Sequence, residues 1–337
     1  MASIEDVARL AGVSIATVSR ALRGLPDVAA ATRDRVLAAA GELDYVASPF
    51  AARLASGRTA TIGVVVPFVN RWFFAEVIDT VEAALRKRGF DLLLYNLGDE
   101  AGRARFFEVM PMRKRVDAVL IVSLVLSEDE LAALSSLGSP IGLLGLERPG
   151  FAAARIDDIA SAHVAVEHLL NLGHRRIGLI GGDTDDPMRF TPPLHRRTGY
   201  HDALRAYGVE PSPELEVLGY FTAEGGCAAT ERLMALAHPP TAIFAESDEM
   251  AFGALRAFRR ARLRVPEDVA VIGFDDQVNA ELMDLSTIRQ PVSEQALEVT
   301  TRLMAAIGAK AEPDTTTVVL PTELIVRGST DPARSVY

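Results

Sequence analysis

The sequence predicts an all-α helix-turn-helix headpiece joined to a two-lobed α/β core of doubly wound parallel sheets. Apolar residues recur at helical spacing over the first 45 residues, and a glycine separates two short helical stretches. From Thr61 onward, short apolar runs alternate with amphipathic helical stretches at a spacing of roughly thirty residues. The length of 337 residues is too great for one ordinary domain and favours two or three.

The composition indicates a protein of the reducing cytoplasm without a membrane segment. The chain is 49% hydrophobic, yet no apolar run is long enough to span a bilayer. Its first residues do not resemble a secretory signal, and Cys227 is its single cysteine, so no intramolecular disulfide can form. The net charge is −10, but residues 1–60 carry seven arginines and six acidic residues. The acidic excess therefore lies in the remainder of the chain.

Two short helices and a tight bend are predicted near the start of the chain. Ser3 can cap the first helix, and Gly12 suits the bend because glycine reaches positive φ without steric cost. Ser14 can cap the second helix, whose outward face is small, apolar and basic: Ile15, Ala16, Ser19, Arg20 and Arg23. Such a face suits a major groove, where arginine binds guanine and Ile or Ala contacts a thymine methyl. The alternative is two ordinary helices of a small bundle.

A third helix is predicted from Asp27 to Tyr45, with Val36, Ala40 and Leu43 facing inward. Three segments of this headpiece resemble the lactose/galactose repressor (LacI/GalR) family: Ile4-Glu5-Asp6-Val7-Ala8, Ala11-Gly12-Val13-Ser14 and Thr17-Val18-Ser19-Arg20. The similarity continues over residues 32–37 and, more weakly, to about Arg327.

The resemblance implies a transcriptional repressor of carbohydrate-utilisation genes that binds a pseudo-palindromic double-stranded DNA operator as a homodimer. It implies a headpiece over residues 1–46, a hinge over 47–59 and a periplasmic-binding-protein-like core over 60–337. The first lobe is expected at 60–157 plus 287–318, and the second at 158–286 plus 319–330. DNA contacts in the headpiece are expected from Ser14, Ile15, Ala16, Thr17, Ser19, Arg20 and Arg23.

The segment after Tyr45 predicts a helix of about two turns, with Ser48 as its cap, Pro49 at its first position and Gly57 as its terminator. A plain interdomain linker is the alternative. The resemblance implies a hinge helix that orders on DNA, with Leu54 wedged into the minor groove and Ala51 one turn earlier on the same face.

Ligands of doubly wound sheets bind beyond the carboxyl ends of the strands, so the residues after each apolar run are candidates for a ligand site. The runs form two sets of four: 62–66, 92–95, 118–122 and 141–146, then 177–180, 215–218, 242–245 and 269–272. Trp72, Phe73 and Phe74 follow the first run, and three consecutive aromatics cannot all pack into one helix face. Trp72 is a natural stacking platform for a sugar, whereas Phe73 and Phe74 can also be core.

Further effector contacts are implied by the family resemblance. Glu147 stands where the family commonly has an aspartate, Arg196 matches an arginine that reaches the cleft, and Phe221 matches an aromatic that faces the ligand. Asp275 matches an acid that binds ligand hydroxyls. Ser247 replaces the usual asparagine and therefore lacks one amide.

Aromatic faces, acids and one arginine predict a neutral mono- or oligosaccharide as the effector. A purine or a sugar phosphate is the alternative effector, and a sugar-binding transport protein is the alternative class. No catalytic constellation stands out, so the chain is expected not to be an enzyme. No metal or cofactor is expected, and the C-terminal tail carries no heptad that would support a tetramer.

Overall fold

The computed structural model describes residues 2–22, 26–45, 58–308, 314–331 and 333. The chain divides into two compact units, Met1–Ala60 and Thr61–Tyr337. Arg23 and the hinge residues Ala51 and Leu54 lie outside the described residues, so their predicted roles stay predictions. No helix of the described part is long and apolar enough to cross a membrane.

The headpiece contains three helices: α1 (Ile4–Ala11), α2 (Ile15–Leu22) and α3 (Ala30–Glu42). Ser3 and Asp6 form a capping box at the start of α1, and Gly12 follows its end at φ 64°. Val7, Val18 and Val36 meet in a common apolar core. α3 is shorter than the predicted span of 27–45, because residues 26–28 form a turn and Asp44 adopts φ 47°.

The first lobe is built on a six-stranded parallel sheet in the order β11-β5-β4-β3-β1-β2. Its strands are β1 (Thr61–Val66), β2 (Asp91–Asn96), β3 (Ala118–Val122), β4 (Ile141–Leu144), β5 (Ala152–Arg155) and β11 (Thr317–Val319). One face packs against α4 (Trp72–Arg86) and α12 (Val292–Ala306). The other face packs against α5 (Glu100–Val109) and α6 (Glu128–Ser135). This lobe therefore has apolar cores on both faces of its sheet, as a doubly wound unit requires.

The second lobe repeats this plan with the strand order β12-β10-β9-β8-β6-β7, in which only the β10–β12 pair is antiparallel. Its strands are β6 (Ile177–Gly181), β7 (Glu216–Leu218), β8 (Ala242–Ala245), β9 (Ala270–Asp275), β10 (Ser286–Arg289) and β12 (Glu323–Ile325). One face packs against α7 (Asp158–Asn171) and α8 (Pro192–Ala206). The other carries α9 (Ala223–Met234), α10 (Asp248–Ala261) and the short α11 (Val278–Leu282), and a 3₁₀ turn, Pro213–Leu215, precedes β7.

All eight predicted strands are present, but each sheet gains two that the sequence did not indicate. β5 reads Ala-Ala-Ala-Arg and β10 reads Ser-Thr-Ile-Arg, so neither is a long apolar run. β11 and β12 have three residues each and lie at sheet edges. Intrinsic strand preference is weak in such segments, and pairing with a neighbour decides their conformation.

The chain passes between the lobes three times: after β5, after β10 and after β11. The second passage lies later than expected. Residues 287–289, assigned to the first lobe from the sequence, pair with β9 and belong to the second. Val319, expected in the second lobe, pairs with Arg155 in the first.

Close packing of α7 against α8 depends on Gly199. A Cβ atom at this position would come within 2.2 Å of the Ile159 carbonyl oxygen and 2.9 Å of the Ala162 Cβ. The absence of a side chain therefore lets the two helices approach each other. Arg196 lies one turn before Gly199 on α8, and Asp158 begins α7, so this approach also brings those two charged side chains together.

We predict that Gly199→Ala lowers the free energy of unfolding by about 1–3 kcal/mol, because overpacking forces helices apart. Urea denaturation measures this change. Thr198→Ala is the matched control at the neighbouring position of α8. The Thr198 hydroxyl donates an exposed hydrogen bond to the Leu194 carbonyl oxygen. An equal loss of stability in both variants would contradict the packing role of Gly199.

Candidate functional site

A pocket lies between the two lobes, at the carboxyl ends of their strands. The predicted effector residues that line it are Trp72, Phe73, Phe74, Arg196, Phe221, Ser247 and Asp275. Residues that the sequence analysis did not single out as effector contacts also line it: Arg71, Ser123, Gly145, Ile156, Asp158, Phe190, Pro192, Glu249, Gln277, Gln290 and Gln295. Both lobes contribute walls, so a ligand here would touch both.

Glu147 is not part of this pocket. It lines a neighbouring cavity, is exposed to solvent, and lies 3.0 Å from Arg155 as an ion pair. The predicted run over 141–146 overran the strand, because β4 ends at Leu144. Gly145 therefore occupies the pocket wall at the strand end, at φ 77°, and Glu147 lies beyond it.

Arg196 is buried, and its guanidinium is held on several sides. Its Nε donates a hydrogen bond to Asp158 at 2.8 Å, and its Nη1 donates to the Glu246 carbonyl. The guanidinium carbon lies 3.6 Å from the centroid of the Phe274 ring, and Nη1 is 3.9 Å from an Asp275 carboxylate oxygen. A buried charge needs such partners, so Arg196 organises the second-lobe wall besides facing the pocket.

Asp275 ends β9 in a strained conformation, at φ 123°, which is rare for a residue with a side chain. Its carboxylate accepts a hydrogen bond from Gln290 Nε2 at 2.6 Å. Burial raises the pKa of Asp275 to about 7, against the opposing effects of the Arg196 charge and this hydrogen bond. Phe221 is also at positive φ, 54°, so two strand ends that face the pocket hold unusual backbone.

Ser247 has a structural role that the sequence comparison with asparagine did not suggest. Its Oγ accepts a hydrogen bond from the Met250 N–H at 3.3 Å and caps α10. Glu246 and Asp248 flank Ser247 in the chain. Burial raises the pKa of Glu246 to about 8, although the hydrogen bond that the Gly182 N–H donates to its carboxylate acts to lower the pKa.

Aromatic rings from both lobes meet at the pocket. Phe74 is only 1% exposed and belongs to the first-lobe core, with its ring centroid 5.3 Å from that of Phe73. Phe190 lies 6.0 Å from Phe74 and 5.5 Å from Phe221, so it joins the two lobes through ring contacts. Trp72 and Phe73 are half-buried, pack against the same core and line the pocket.

Two further contacts connect the lobes. Glu249 of α10 accepts a hydrogen bond from the Trp72 N–H at 3.4 Å, which places a carboxylate at the N-terminus of α4. Met188 precedes the pocket residue Phe190, and its side chain is buried in the first-lobe core. Arg103 donates to the Met188 carbonyl and is itself held by Glu130 through two hydrogen bonds of 2.7 Å. The segment from Met188 to Phe190 therefore connects the second lobe to the first through these contacts.

In the headpiece, the predicted DNA-contacting face of α2 is open to solvent at Ser14, Ile15, Ala16 and Arg20. Ser14 Oγ accepts a hydrogen bond from the Thr17 N–H at 3.1 Å and caps the helix. Ile15 is 46% exposed, which is unusual for an isoleucine and fits a face that binds a partner. Thr17 and Ser19 are half-buried, and Arg20 lies 3.6 Å from Asp27.

Two histidines of the second lobe have hydrogen-bond partners of their own. His168 Nε2 lies 2.9 Å from the Thr330 hydroxyl, and His174 Nδ1 lies 2.9 Å from the Thr241 hydroxyl. Across the residues with described positions, no group of three or more His, Cys, Asp or Glu side chains could hold a metal ion.

We predict a pH dependence of stability from Asp275. Because its folded pKa of about 7 exceeds the unfolded value of about 3.9, the folded state binds more protons between these values, and stability falls as pH rises through this window. Asparagine does not titrate, so the Asp275→Asn variant does not lose stability in this window. The stability gained by the substitution is therefore expected to grow from pH 5 to pH 7 and to level off by about pH 8 in urea denaturation.

Asp268→Asn is the control for that titration. Asp268 is exposed, and hydrogen bonds from Arg264 lower its pKa to about 2, so the effect of its substitution is expected to be constant from pH 5 to pH 8. A flat Asp275→Asn difference over the same range would show that Asp275 is ionised throughout.

Comparison with known proteins agrees with this arrangement. The model of bacterial regulatory proteins of the lacI family matches residues 3–48, and the periplasmic binding protein-like domain matches residues 166–330. The HTH-type transcriptional repressor CytR of Escherichia coli (strain K12) is 34% identical over 98% of this chain and 96% of its own. The HTH-type transcriptional regulator CelR of Thermobifida fusca is 35% identical over 97% of this chain and 98% of its own.

Solved structures show the same architecture. A complex of the transcriptional regulator CelR with cellobiose matches with a TM-score of 0.70 and 34% identity, covering 98% of this chain and 100% of its own. A Lac repressor dimer bound to operator and the anti-inducer ONPF matches with a TM-score of 0.84 and 25% identity, covering 98% and 99%. These relatives are regulators rather than enzymes, and they match nearly the whole chain. The chain therefore belongs to the lacI family of bacterial regulatory proteins, as a DNA-binding transcription regulator with an α-helical headpiece and a two-lobed core.

Proposed function

We propose that the protein is a cytoplasmic repressor that binds a pseudo-palindromic operator as a homodimer and responds to a sugar bound between its lobes. The observation that carries the proposal is the pocket itself, in which aromatic rings from both lobes and carboxylates from the second lobe surround one space. Its role is reversible recognition rather than catalysis. The similar structure of a Lac repressor dimer bound to operator supports the dimeric state and the DNA partner.

The charge of the pocket favours a neutral effector. Three acids, Asp158, Glu249 and Asp275, line it together with two arginines, Arg71 and Arg196. Arg196 is already paired with Asp158, and Arg71 lies against the Phe68 and Phe221 rings at 4.6 Å and 5.5 Å. A sugar phosphate would bring further negative charge to a site that already has an excess of acids.

A sugar also fits the aromatic surface. Trp72 and Phe73 are half-buried in the pocket wall and can cover the apolar C–H face of a ring, while carboxylates accept hydrogen bonds from its hydroxyl groups. The relative CelR was solved with cellobiose, and a family regulator from Enterococcus faecium, 30% identical with a TM-score of 0.70, was solved with ribose. These two structures support the sugar class for this chain.

A purine is the second candidate effector, and one observation favours it. Ser247 lacks the amide that an asparagine would offer to a purine edge, but three glutamine amides line the pocket and can form such hydrogen bonds. Regulators named PurR are 31% and 32% identical to this chain over 98% of its length. Ligand binding measured directly decides between the two classes.

We predict that Arg20→Ala costs about 1–3 kcal/mol of binding free energy on the cognate operator, because a bidentate contact to guanine is lost. Fluorescence anisotropy with an operator selected from random DNA measures the change. Arg9→Ala is the control, since Arg9 is exposed on α1 and pairs with Asp6. Equal weakening of Arg20→Ala on cognate and scrambled DNA would show that this arginine contacts only phosphate.

We predict that cellobiose or ribose raises the melting temperature of the wild type, whereas hypoxanthine and glucose 6-phosphate do not, because a ligand of the folded state stabilises it. Trp72→Ala removes a stacking face and is expected to abolish the shift while operator binding persists. Arg196→Ala is unsuitable for this test, because it leaves Asp158 buried without its partner.

The control for Trp72→Ala is Tyr220→Ala, which removes an exposed aromatic ring that does not line the pocket. A shift with hypoxanthine and none with either sugar would replace the sugar proposal by the purine one.

A further inference from the structure

The glutamines of this chain are concentrated at one place. The sequence contains only three, Gln277, Gln290 and Gln295, and all three line the pocket between the lobes. Gln277 follows β9 in the second lobe, and Gln295 lies on the first turn of α12 in the first lobe. Amide side chains therefore enter the same space from both sides.

These glutamines differ in how their amides are satisfied. Gln290 Nε2 donates to Asp275 at 2.6 Å. Gln277 is 5% exposed and Gln295 is 1% exposed, and the Nε2 atom of each has no hydrogen-bond partner among the residues that the structure describes. A buried amide without a partner costs stability, and native proteins contain few of them. Two in one pocket indicate that something outside the chain accepts their hydrogen bonds.

The backbones of both residues are anchored, so their amides extend from fixed positions. The Gln277 N–H donates to Asp248 at 2.8 Å, and the Gln295 N–H donates to the Pro291 carbonyl at 3.0 Å. Preorganised donors of this kind lower the ordering cost of binding.

The other polar groups in the pocket indicate which kind of ligand group accepts the hydrogen bonds of these amides. Carboxylates at Asp275, Asp158 and Glu249 accept hydrogen bonds, while the amides of Gln277 and Gln295 donate them. A hydroxyl group does both at one atom, since it donates its proton and accepts through its lone pairs. A purine edge also carries donors and acceptors, but at separate atoms fixed in the plane of the ring. A ring bearing several hydroxyls satisfies both sets of groups.

We propose that Gln277 and Gln295 are specificity-determining residues that donate hydrogen bonds to hydroxyl oxygens of the sugar effector, one from each lobe. The sugar thereby satisfies two amides that the chain leaves unpaired and connects the lobes through them. This inference rests on the proposed sugar response and adds the residues that select for it.

The test uses Gln277→Met and Gln295→Met, which keep the side-chain length and remove the donor. We expect each ligand-free variant to melt at or above the wild-type temperature, because an unpaired buried amide is gone. We expect the affinity for cellobiose or ribose, whichever binds the wild type, to fall about tenfold in calorimetry, since a donor is lost from the complex. Gain of stability with loss of affinity is a combination that a merely structural residue does not produce.

Gln290→Met is the matched control, because its amide already serves Asp275. Its ligand-free form is expected to melt below the wild type at pH 8, where it leaves a buried carboxylate without its donor. Gln295→Glu keeps the side-chain shape and replaces the donor by an acceptor, so it is also expected to lose affinity.

Two results would overturn the inference while leaving the sugar response intact: wild-type sugar affinity in both methionine variants, or lowered melting temperatures in both without ligand. If neither cellobiose nor ribose binds the wild type, the inference fails together with the proposed sugar effector. The two failures are therefore distinguishable.

Discussion

The buried charge of Arg196 is the constraint on which the cleft depends. A guanidinium removed from water must be paired, and here Asp158, a backbone carbonyl and the Phe274 ring hold it while Asp275 lies nearby. This pairing requires α7 and α8 to lie close together, which Gly199 permits. The second-lobe wall of the pocket is thus formed by the same packing that stabilises the lobe.

Besides the pocket and the three passages of the chain, specific side-chain contacts connect the two lobes. Glu249 reaches the N-terminus of α4, and Met188 is buried in the core of the opposite lobe beneath Arg103. A ligand that contacts both walls changes the free energy of any arrangement of the lobes in which those walls separate. Differential affinity of this kind is the physical requirement for an effector to alter DNA binding.

Much of this organisation could be predicted from the sequence, because buried parallel strands leave apolar runs and functional residues follow their ends. The strand-end rule agrees with Asp275, the last residue of β9, whereas Arg196 was expected from the family resemblance alone and lies on α8. The rule misplaced Glu147, because the apolar run there continues for two residues beyond the last paired one. Gln295 could not be predicted, since it begins a helix rather than following a strand and its neighbours across the pocket are distant in sequence. Tertiary structure determines which strands pair and which side chains are buried, and the periodicity of apolar residues in the sequence does not reveal it.

The most direct test of this account is the effect of sugar on operator affinity in the wild type and in Asp158→Asn. This substitution removes the carboxylate charge but keeps a side-chain oxygen that can accept the Arg196 Nε hydrogen bond, so Arg196 is not left without a partner. We expect the sugar that binds the wild type to change its operator affinity by about 5- to 150-fold, the usual range of allosteric coupling. Asp158→Asn is expected to bind the operator with little response to the same sugar. An undiminished response in Asp158→Asn would contradict the account.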